Sequence, residues 1–435
     1  MPATSKNTKP RCASAGVFLF EVICAFQSSK VRHGWQLVKP TMKSIHPFPA
    51  RMAPEILDDL LDDCPRGSIV LDPMCGSGTV VRKAVLTGKL AIGLDSDPLA
   101  VLMTSVATQS LKSKEVENAL KIVLDYALRY GQRLKSVHDC QETSKFTDFW
   151  FAPQQRHQLN ALAKGILKAE LGGVSNRYLN LLRLALSRTI ITKDKGASLG
   201  ADVSHSRPHR VRISNDYDVL KNFEKFVCSI HATVNNSELT SRAKVRLDDV
   251  RKLTSIGRSS IDTIITSPPY LNALDYVRGH KLSLIWLGRT IPELRSLRGG
   301  NVGSEAALPR DSKTETSWDT VIKNFPDLSN LTTRQQLMTH RYVEDLCRMC
   351  RQFKRVLKTN SKLHVVIGNS TLGNVYVPNS DLFEFCSRKY GFDLKDQKER
   401  EIPENRRYLP ISGDISSLSK RMRKEVIQSF VLTEP

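Results

Sequence analysis

The chain has 435 residues, 40% of them hydrophobic, enough for one large domain or two ordinary ones and inconsistent with a fibrous or wholly disordered protein. A formal net charge of +21 at pH 7 points to a polyanionic partner, because Lys and Arg contacts to phosphate release counterions. Nine cysteines, an odd number scattered over a long chain, argue against a secreted disulfide scaffold. The single Cys347-x-x-Cys350 pair has no second pair to complete a zinc site, so no metal is expected.

The first 40 residues form an N-terminal extension without a usable motif. An apolar run at 17–26 follows Lys6, Lys9 and Arg11 as in a signal peptide, but Glu21 interrupts it and no convincing cleavage site follows. No apolar run reaches the roughly 18–20 residues that a membrane span needs, and the chain reads as cytoplasmic with no membrane partner. From 41 the pattern becomes strand (68–72), helix (79–87), strand (89–95), the mark of a parallel, doubly wound sheet. Residues 112–240 break it with helical stretches at 115–135, 154–171, 177–189 and 217–234. Between the last two lies a basic run, Ser204-His-Ser-Arg-Pro-His-Arg-Val-Arg212. Strand patterns resume at 243–248 and 260–266. The chain therefore divides into the extension 1–40, one αβ domain built from 41–111 and 241–435, and a mostly helical insertion, 112–240. The polar stretch 291–331 reads as a long loop with short helical pieces. A helix (333–357), a strand (362–367), a helix (379–390) and a final strand pair complete the domain.

Two motifs carry chemistry. In the first, Asp72-Pro-Met-Cys-Gly-Ser-Gly-Thr79 joins a buried strand to a helix through a tight turn. Gly76 and Gly78 let a ligand approach the main chain, and Ser77 or Thr79 is placed to cap the helix. Open αβ sheets bind ligands at such a turn, and the absence of Gly-Lys-Ser/Thr disfavours an ATP loop. Asp95, at the end of the next strand with Ser96 beside it, is spaced to hold both hydroxyls of a ribose; capping the helix before Pro98 is the alternative. In the second motif a buried strand ends in Ser267-Pro268-Pro269-Tyr270, where two prolines stiffen the turn and leave carbonyl oxygens without neighbouring amide donors; a Pro-rich turn with a core tyrosine is the bland alternative.

Together these motifs resemble those of the amino-group DNA methyltransferases, a family with a Rossmann-like fold and a mostly parallel twisted sheet that uses S-adenosyl-L-methionine (AdoMet). The resemblance covers roughly 43–110 and 243–410. It implies that Asp72, Pro73, Met74, Gly76, Gly78 and Thr79 form the AdoMet turn, with Met74 where Phe is common, and that Asp95 and Ser96 face the ribose. It also implies that His46-Pro-Phe-Pro-Ala-Arg-Met-Ala-Pro54 closes over the methionine part, with Phe48 as an apolar wall and His46 in the same segment. Asp249, or its neighbour Asp248, would contact the adenine amino group.

An exocyclic amino nitrogen is a poor nucleophile because its lone pair is delocalised into the ring. Hydrogen bonds from its hydrogens to Ser267 and to the Pro268 carbonyl would aim that lone pair at the sulfonium methyl. Tyr270 would stack on the flipped base, without metal or covalent nucleophile. The Ser form of the motif resembles the cytosine-N4 enzymes more than the adenine-N6 ones. Asn272 and Asp275, just past the turn, and Asn369, Arg406, Arg407 and Tyr408 at later strand edges, are further pocket candidates. Arg207, Arg210 and Arg212 are candidates for tracking phosphates of double-stranded DNA or reading guanine edges, which would make the insertion a target-recognition region. A restriction endonuclease or a defence-system subunit is the protein partner implied. The rivals are an RNA guanine-N2 methyltransferase and a non-catalytic DNA-binding subunit of the same fold.

Overall fold

A computed structural model describes residues 42–48, 51–130, 136–191, 195–201, 209–235, 239–271, 276–303, 314–403 and 424–433. The extension 1–40, Pro49, Arg207, Asn272, Asp275, Arg406, Arg407 and Tyr408 lie outside the described residues.

Seven strands form one sheet: β1 (Ile69–Asp72), β2 (Leu90–Asp95), β3 (Ala243–Leu247), β4 (Ile261–Thr266), β5 (Leu357–Gly368), β6 (Phe392–Glu401) and β7 (Lys424–Leu432). Their order is β6-β7-β5-β4-β1-β2-β3. The β3-to-β5 stretch is parallel throughout, while β7 runs antiparallel to both β5 and β6. The run 3-2-1-4-5 is that of the doubly wound dinucleotide-binding sheet, and the order reverses between β1 and β4. This is a Rossmann-like α/β fold.

Alternation along the central strands divides the core between two faces. Val70, Ile265 and Val366 point to helices α1 (Ile56–Asp62) and α2 (Thr79–Leu86). Leu71, Ile264 and Val365 point the other way, to α12 (Thr333–Val356) and α13 (Asn379–Arg388). Helix α12 opens with a capping box, Thr332 with Gln335, and buries Leu346, Cys347, Met349, Cys350 and Phe353. The two cysteines act here as small apolar core residues.

Helix α3 (Pro98–Ala107) follows β2, capped by Asp97, whose Oδ1 accepts from the Leu99 amide, with Pro98 at the first helical position. Next come α4 (Ser113–Tyr130), α5 (Gln141–Trp150), α6 (Pro153–Leu171), α7 (Asn176–Ile190) and α8 (Val219–Asn235). The stretch read as an insertion, 112–240, is mostly helical among its described residues. Its apolar faces share one core with α3, with α9 (Tyr276–Leu284), which follows the Ser-Pro-Pro-Tyr turn, and with Trp286 and α10 (Ile291–Gly299). Helix α5 was not expected from the sequence. Much of its surface is polar, and it is held by Thr143, Thr147 and Trp150 rather than by an aliphatic stripe. The stretch read as a long loop with short helical pieces at 291–331 contains, among its described residues, α10, with its own capping box of Thr290 and Glu293, and α11 (Trp318–Asn324). Among the described residues no helix is long and apolar enough to cross a membrane.

Phe353 is fully buried between α12 and the sheet. Phe353→Ala is expected to cost about 3–5 kcal/mol by the transfer and cavity terms, read as a lower midpoint of chemical denaturation with its slope unchanged.

Candidate active site

Both motifs sit at the carboxyl ends of β1 and β4, the two strands that flank the reversal of strand order. They pair in parallel, with Val70 opposite Thr263 and Leu71 opposite Ile264. One side-chain bond ties the motifs together: Thr266 Oγ1 donates to Asp72 Oδ1 at 2.9 Å, fully buried. The Met74 amide donates to the same oxygen at 3.2 Å. Despite these donors, burial pushes the Asp72 carboxyl up to about 7, with the nearby Asp95 adding to the effect.

Gly76 and Gly78 both have positive φ, 49° and 80°. A β-carbon on Gly76 would stand 2.9 Å from the Phe48 ring, and one on Gly78 would meet Thr104 Oγ1 at 2.8 Å and its main chain at 3.0 Å. Side chains are therefore excluded from the turn on both steric and conformational grounds. The expected hydroxyl cap is not there: Gly78 itself is the N-cap of α2, and Ser77 and Thr79 bond each other at 3.1 Å. The left-handed turn carries the Ser77 hydroxyl past the capping position, so the first amides of α2 have no side-chain acceptor. Pro73 is buried beneath the turn and Met74 half-buried beside it.

Asp95 orders the opposite wall. Its Oδ2 accepts from the Gly76 amide and its Oδ1 from the Asp97 amide, each at 2.9 Å. Burial pushes its carboxyl up to about 7, and the like charge of Asp97 reinforces this. The cap before Pro98 is Asp97, two residues later than the alternative considered for Asp95. Ser96 Oγ donates to Asn301 Oδ1 at 3.3 Å.

The segment ahead of β1 lies across the turn. Phe48 stacks on Tyr276 of α9 at 5.3 Å between centroids, nearly parallel, and lies 5.5 Å from the His280 ring. His280 Nδ1 is hydrogen-bonded to the second carboxylate oxygen of Asp97, both side chains buried. His46 reaches elsewhere. Its Nε2 meets Ser187 Oγ of α7 at 2.9 Å and its Nδ1 meets the Pro47 carbonyl at 2.8 Å. Burial lowers its imidazole to about 3, so it is neutral. His46 therefore anchors the segment to α7, and it lines the same cleft as Ser77, Gly78 and Thr79. This small open cleft lies between the segment, the start of α2 and α3, with Lys43, Arg51, Ser77, Thr79 and Arg82 among its lining residues.

At the end of β3 the two candidate carboxylates have different partners. Asp248 accepts from Thr254, from the Ser255 amide and hydroxyl, and from the Asp249 amide, and so builds its own turn. Asp249 gives both oxygens to the Arg251 guanidinium, which holds its carboxyl below the usual range against the opposing effect of burial. Arg251 also reaches Asp345 Oδ1 of α12 at 3.2 Å and the Gly300 carbonyl.

Ser267 is half-buried, Pro268 buried, and Tyr270 packs partly against the α12 core. Ser370 Oγ donates to the carbonyl of Leu271, just past the turn, at 2.6 Å, and itself accepts from Asn379 at 2.8 Å. Asn369 is occupied at the start of α13, where its Oδ1 accepts from the Ser380 amide and hydroxyl. Arg210 and Arg212 are not in this crevice. Arg210 belongs to a short hairpin (Gly200–Ala201 with His209–Arg210) and Arg212 follows it; just before the hairpin the Leu199 amide donates to the Trp150 carbonyl, and Arg210 lies over the Phe149 ring at 5.3 Å. Sequence reasoning missed Thr266, Asp97, His280, Arg251 and Asn301. Of these only Asp97 carried a local signal, an Asp-Pro helix start.

Fold and crevice define a Rossmann-like α/β protein with its candidate site at the point where the strand order reverses. No protein-family model matches the chain. It is similar to the Type II methyltransferase M.MvaI of Kocuria varians, 20% identical over 400 residues, which are 83% of this chain and 84% of that protein. It is also similar to the Type II methyltransferase M.BsoBI of Geobacillus stearothermophilus, 24% identical over 277 residues, 56% of this chain and 52% of that one. Among solved structures, a SAM-dependent methyltransferase from Methanosarcina mazei is similar over 86% of this chain and 96% of its own, at 8% identity and a TM-score of 0.30.

Thr266→Val removes the side-chain donor bonded to Asp72 while keeping shape. It is expected to cost about 1.5–3 kcal/mol at pH 8, where the carboxylate is ionised, and much less at pH 5.5, where the carboxyl is protonated. Denaturation midpoints of wild type and variant at the two pH values check this.

Proposed function

We propose that the chain is an AdoMet-dependent DNA methyltransferase that modifies an exocyclic amino group, cytosine N4 before adenine N6. The observation that carries this reading is the Thr266–Asp72 bond, which fixes a ligand-binding glycine turn and a Ser-Pro-Pro-Tyr turn on adjacent strands at the switch point. The two relatives named Type II methyltransferases support the methyltransferase class. The net charge of +21 supports a nucleic-acid substrate. The Ser form of the motif supports cytosine.

The crevice fits the cofactor on physical grounds. Two carboxyls pushed up to about 7 by burial lack compensating charge, and a sulfonium with ribose hydroxyls supplies both cation and donors. Asp95 and Ser96 would hold the ribose, Phe48 would wall the methionine part, and Lys43, Arg51 and Arg82 around the adjoining cleft suit its carboxylate. Asp249, already fixed by Arg251, would take the adenine amino group as a second partner. When bound, the cofactor supplies an electrophilic methyl carbon.

The protein's own contribution is alignment. Ser267 Oγ and the Pro268 carbonyl would accept the amino hydrogens of the flipped base, and Tyr270, backed by the α12 core, would stack on its face. So held, the amino nitrogen would keep its lone pair aimed at the electrophilic carbon, with its hydrogens directed to Ser267 Oγ and the Pro268 carbonyl. The insertion, through Arg210 and Arg212 and with Arg207 outside the described residues, would hold the duplex.

Labelled AdoMet with unmethylated genomic DNA, digested to nucleosides and analysed by mass spectrometry, is expected to yield N4-methylcytosine. Ser267→Ala and Tyr270→Ala should each lower the rate at least about a hundredfold, the scale of a lost alignment. N6-methyladenine would overturn the base assignment alone, and label only on RNA would overturn the substrate class.

The raised carboxyls also predict a pH dependence. Their unfolded values lie near 4, so the folded protein binds more protons between about pH 4 and 7, and these groups lower its stability as pH rises through that window. AdoMet favours the ionised forms, so the gain in melting temperature it produces should be small at pH 5.5, rise through pH 7 and level off by pH 8. Asp95→Asn should flatten the curve, and a gain independent of pH in the wild type would remove the proposed pairing.

A further inference from the structure

The 300–303 loop, which follows α10, is held at the crevice from two sides. Arg251 grips it through the Gly300 carbonyl, and Arg251 is itself fixed by Asp249 at the end of β3 and by the fully buried Asp345 of α12. On the other side the half-buried Asn301 accepts the Ser96 hydroxyl at 3.3 Å, immediately after Asp95 at the end of β2. These bonds place a side-chain amide from a segment 205 positions away in sequence between the two strand ends that form the nucleoside end of the crevice. The Asn301 amide has a carbonyl oxygen and two N–H donors. The oxygen is used by Ser96, whereas Nδ2 has no hydrogen-bond partner among the described residues. A donor fixed at that position complements Asp95, whose carboxylate is acceptor-only when ionised.

Resting on the AdoMet reading above, we propose that Asn301 is a cofactor-binding residue whose Nδ2 donates to a ribose hydroxyl oxygen, and that Arg251 is the positioning residue that holds its loop in place. One ribose hydroxyl then donates to Asp95 and accepts from Asn301, so the sugar is recognised as both donor and acceptor. A ligand without ribose hydroxyls forfeits both contacts.

The test is calorimetric binding of S-adenosylhomocysteine, and of its 2′-deoxy and 3′-deoxy counterparts, to the full chain without DNA. Asn301→Ala lies on a half-buried loop and should leave the melting temperature unchanged while weakening S-adenosylhomocysteine about three- to tenfold, the scale of one hydrogen bond. That loss should vanish on whichever deoxy analogue lacks the contacted hydroxyl. Arg251→Lys keeps a cation beside Asp345 but loses the fork that reaches Gly300. It should produce a comparable loss, and the double variant should lose no more than Arg251→Lys alone. Wild-type affinity in Asn301→Ala, or an equal loss on both deoxy analogues, would overturn the ribose contact while leaving the AdoMet reading intact. Additive losses in the double variant would overturn the positioning role of Arg251. A wild type that binds no S-adenosylhomocysteine would remove the AdoMet reading and this inference with it.

Discussion

The parallel pairing of β1 with β4, closed at its end by the Thr266–Asp72 hydrogen bond, sets the geometry of the rest of the site. Adjacent strands lie about 4.8 Å apart, and neither can slip by one residue without exchanging the side chains fitted to its two buried faces. The glycine turn and the Ser-Pro-Pro-Tyr turn therefore have a fixed separation before any ligand arrives. The fixing group is a carboxyl taken out of water, and burial raises it to about 7 in spite of two hydrogen-bond donors. A cation, or further donors, in the crevice relieves that cost, so ligand affinity and local order draw on the same interaction.

The segment ahead of β1 depends on that frame and on the insertion together. Phe48 covers Gly76, and Tyr276 and His280 of α9 back it, with His280 held in turn by the Asp97 that caps α3. His46, neutral and bonded to Ser187, fixes the same segment to α7. Helix α9 follows the Ser-Pro-Pro-Tyr turn, and α7 belongs to the insertion. Both lie in one continuous core with α3. Any shift of α7 against this core would therefore be felt at Phe48 without a long relay, because the elements are already packed against one another.

The central strands were readable because parallel strands buried on both faces leave unbroken apolar runs, and both chemical turns were readable because proline and glycine act locally. Boundaries were less so. Strand β5 begins at Leu357 rather than 362 because Leu357 already pairs with Ile261, ahead of a register shift across 358–361 that polar residues do not advertise. What escaped almost entirely was the polar wiring. Arg251 finds Asp345 94 positions away, His280 finds Asp97 183 away, and Ser96 finds Asn301 205 away. A single polar residue meeting another across the fold has no period in sequence. Asp249 illustrates the consequence: its position in the chain suggested a ligand contact, and its first partner in the structure is an arginine two residues on.

The distribution of charge fits a division of labour under the proposed reading. The chain carries 65 basic against 44 acidic residues, yet Asp72, Asp95, Asp97 and Asp249 all gather at the ends of three adjacent strands. An acidic crevice repels phosphate and attracts a sulfonium, whereas the basic surface does the reverse. A duplex therefore cannot bring its backbone to the reacting centre without electrostatic cost, but an extruded base carries no charge and can enter. Asp249 is the member of this group already neutralised by a protein cation, and it lies at the nucleoside end, where the ligand has no positive charge to offer. The two carboxyls raised by burial, Asp72 and Asp95, flank the glycine turn, where under the same reading the ligand's sulfonium and ribose hydroxyls would supply cation and donors.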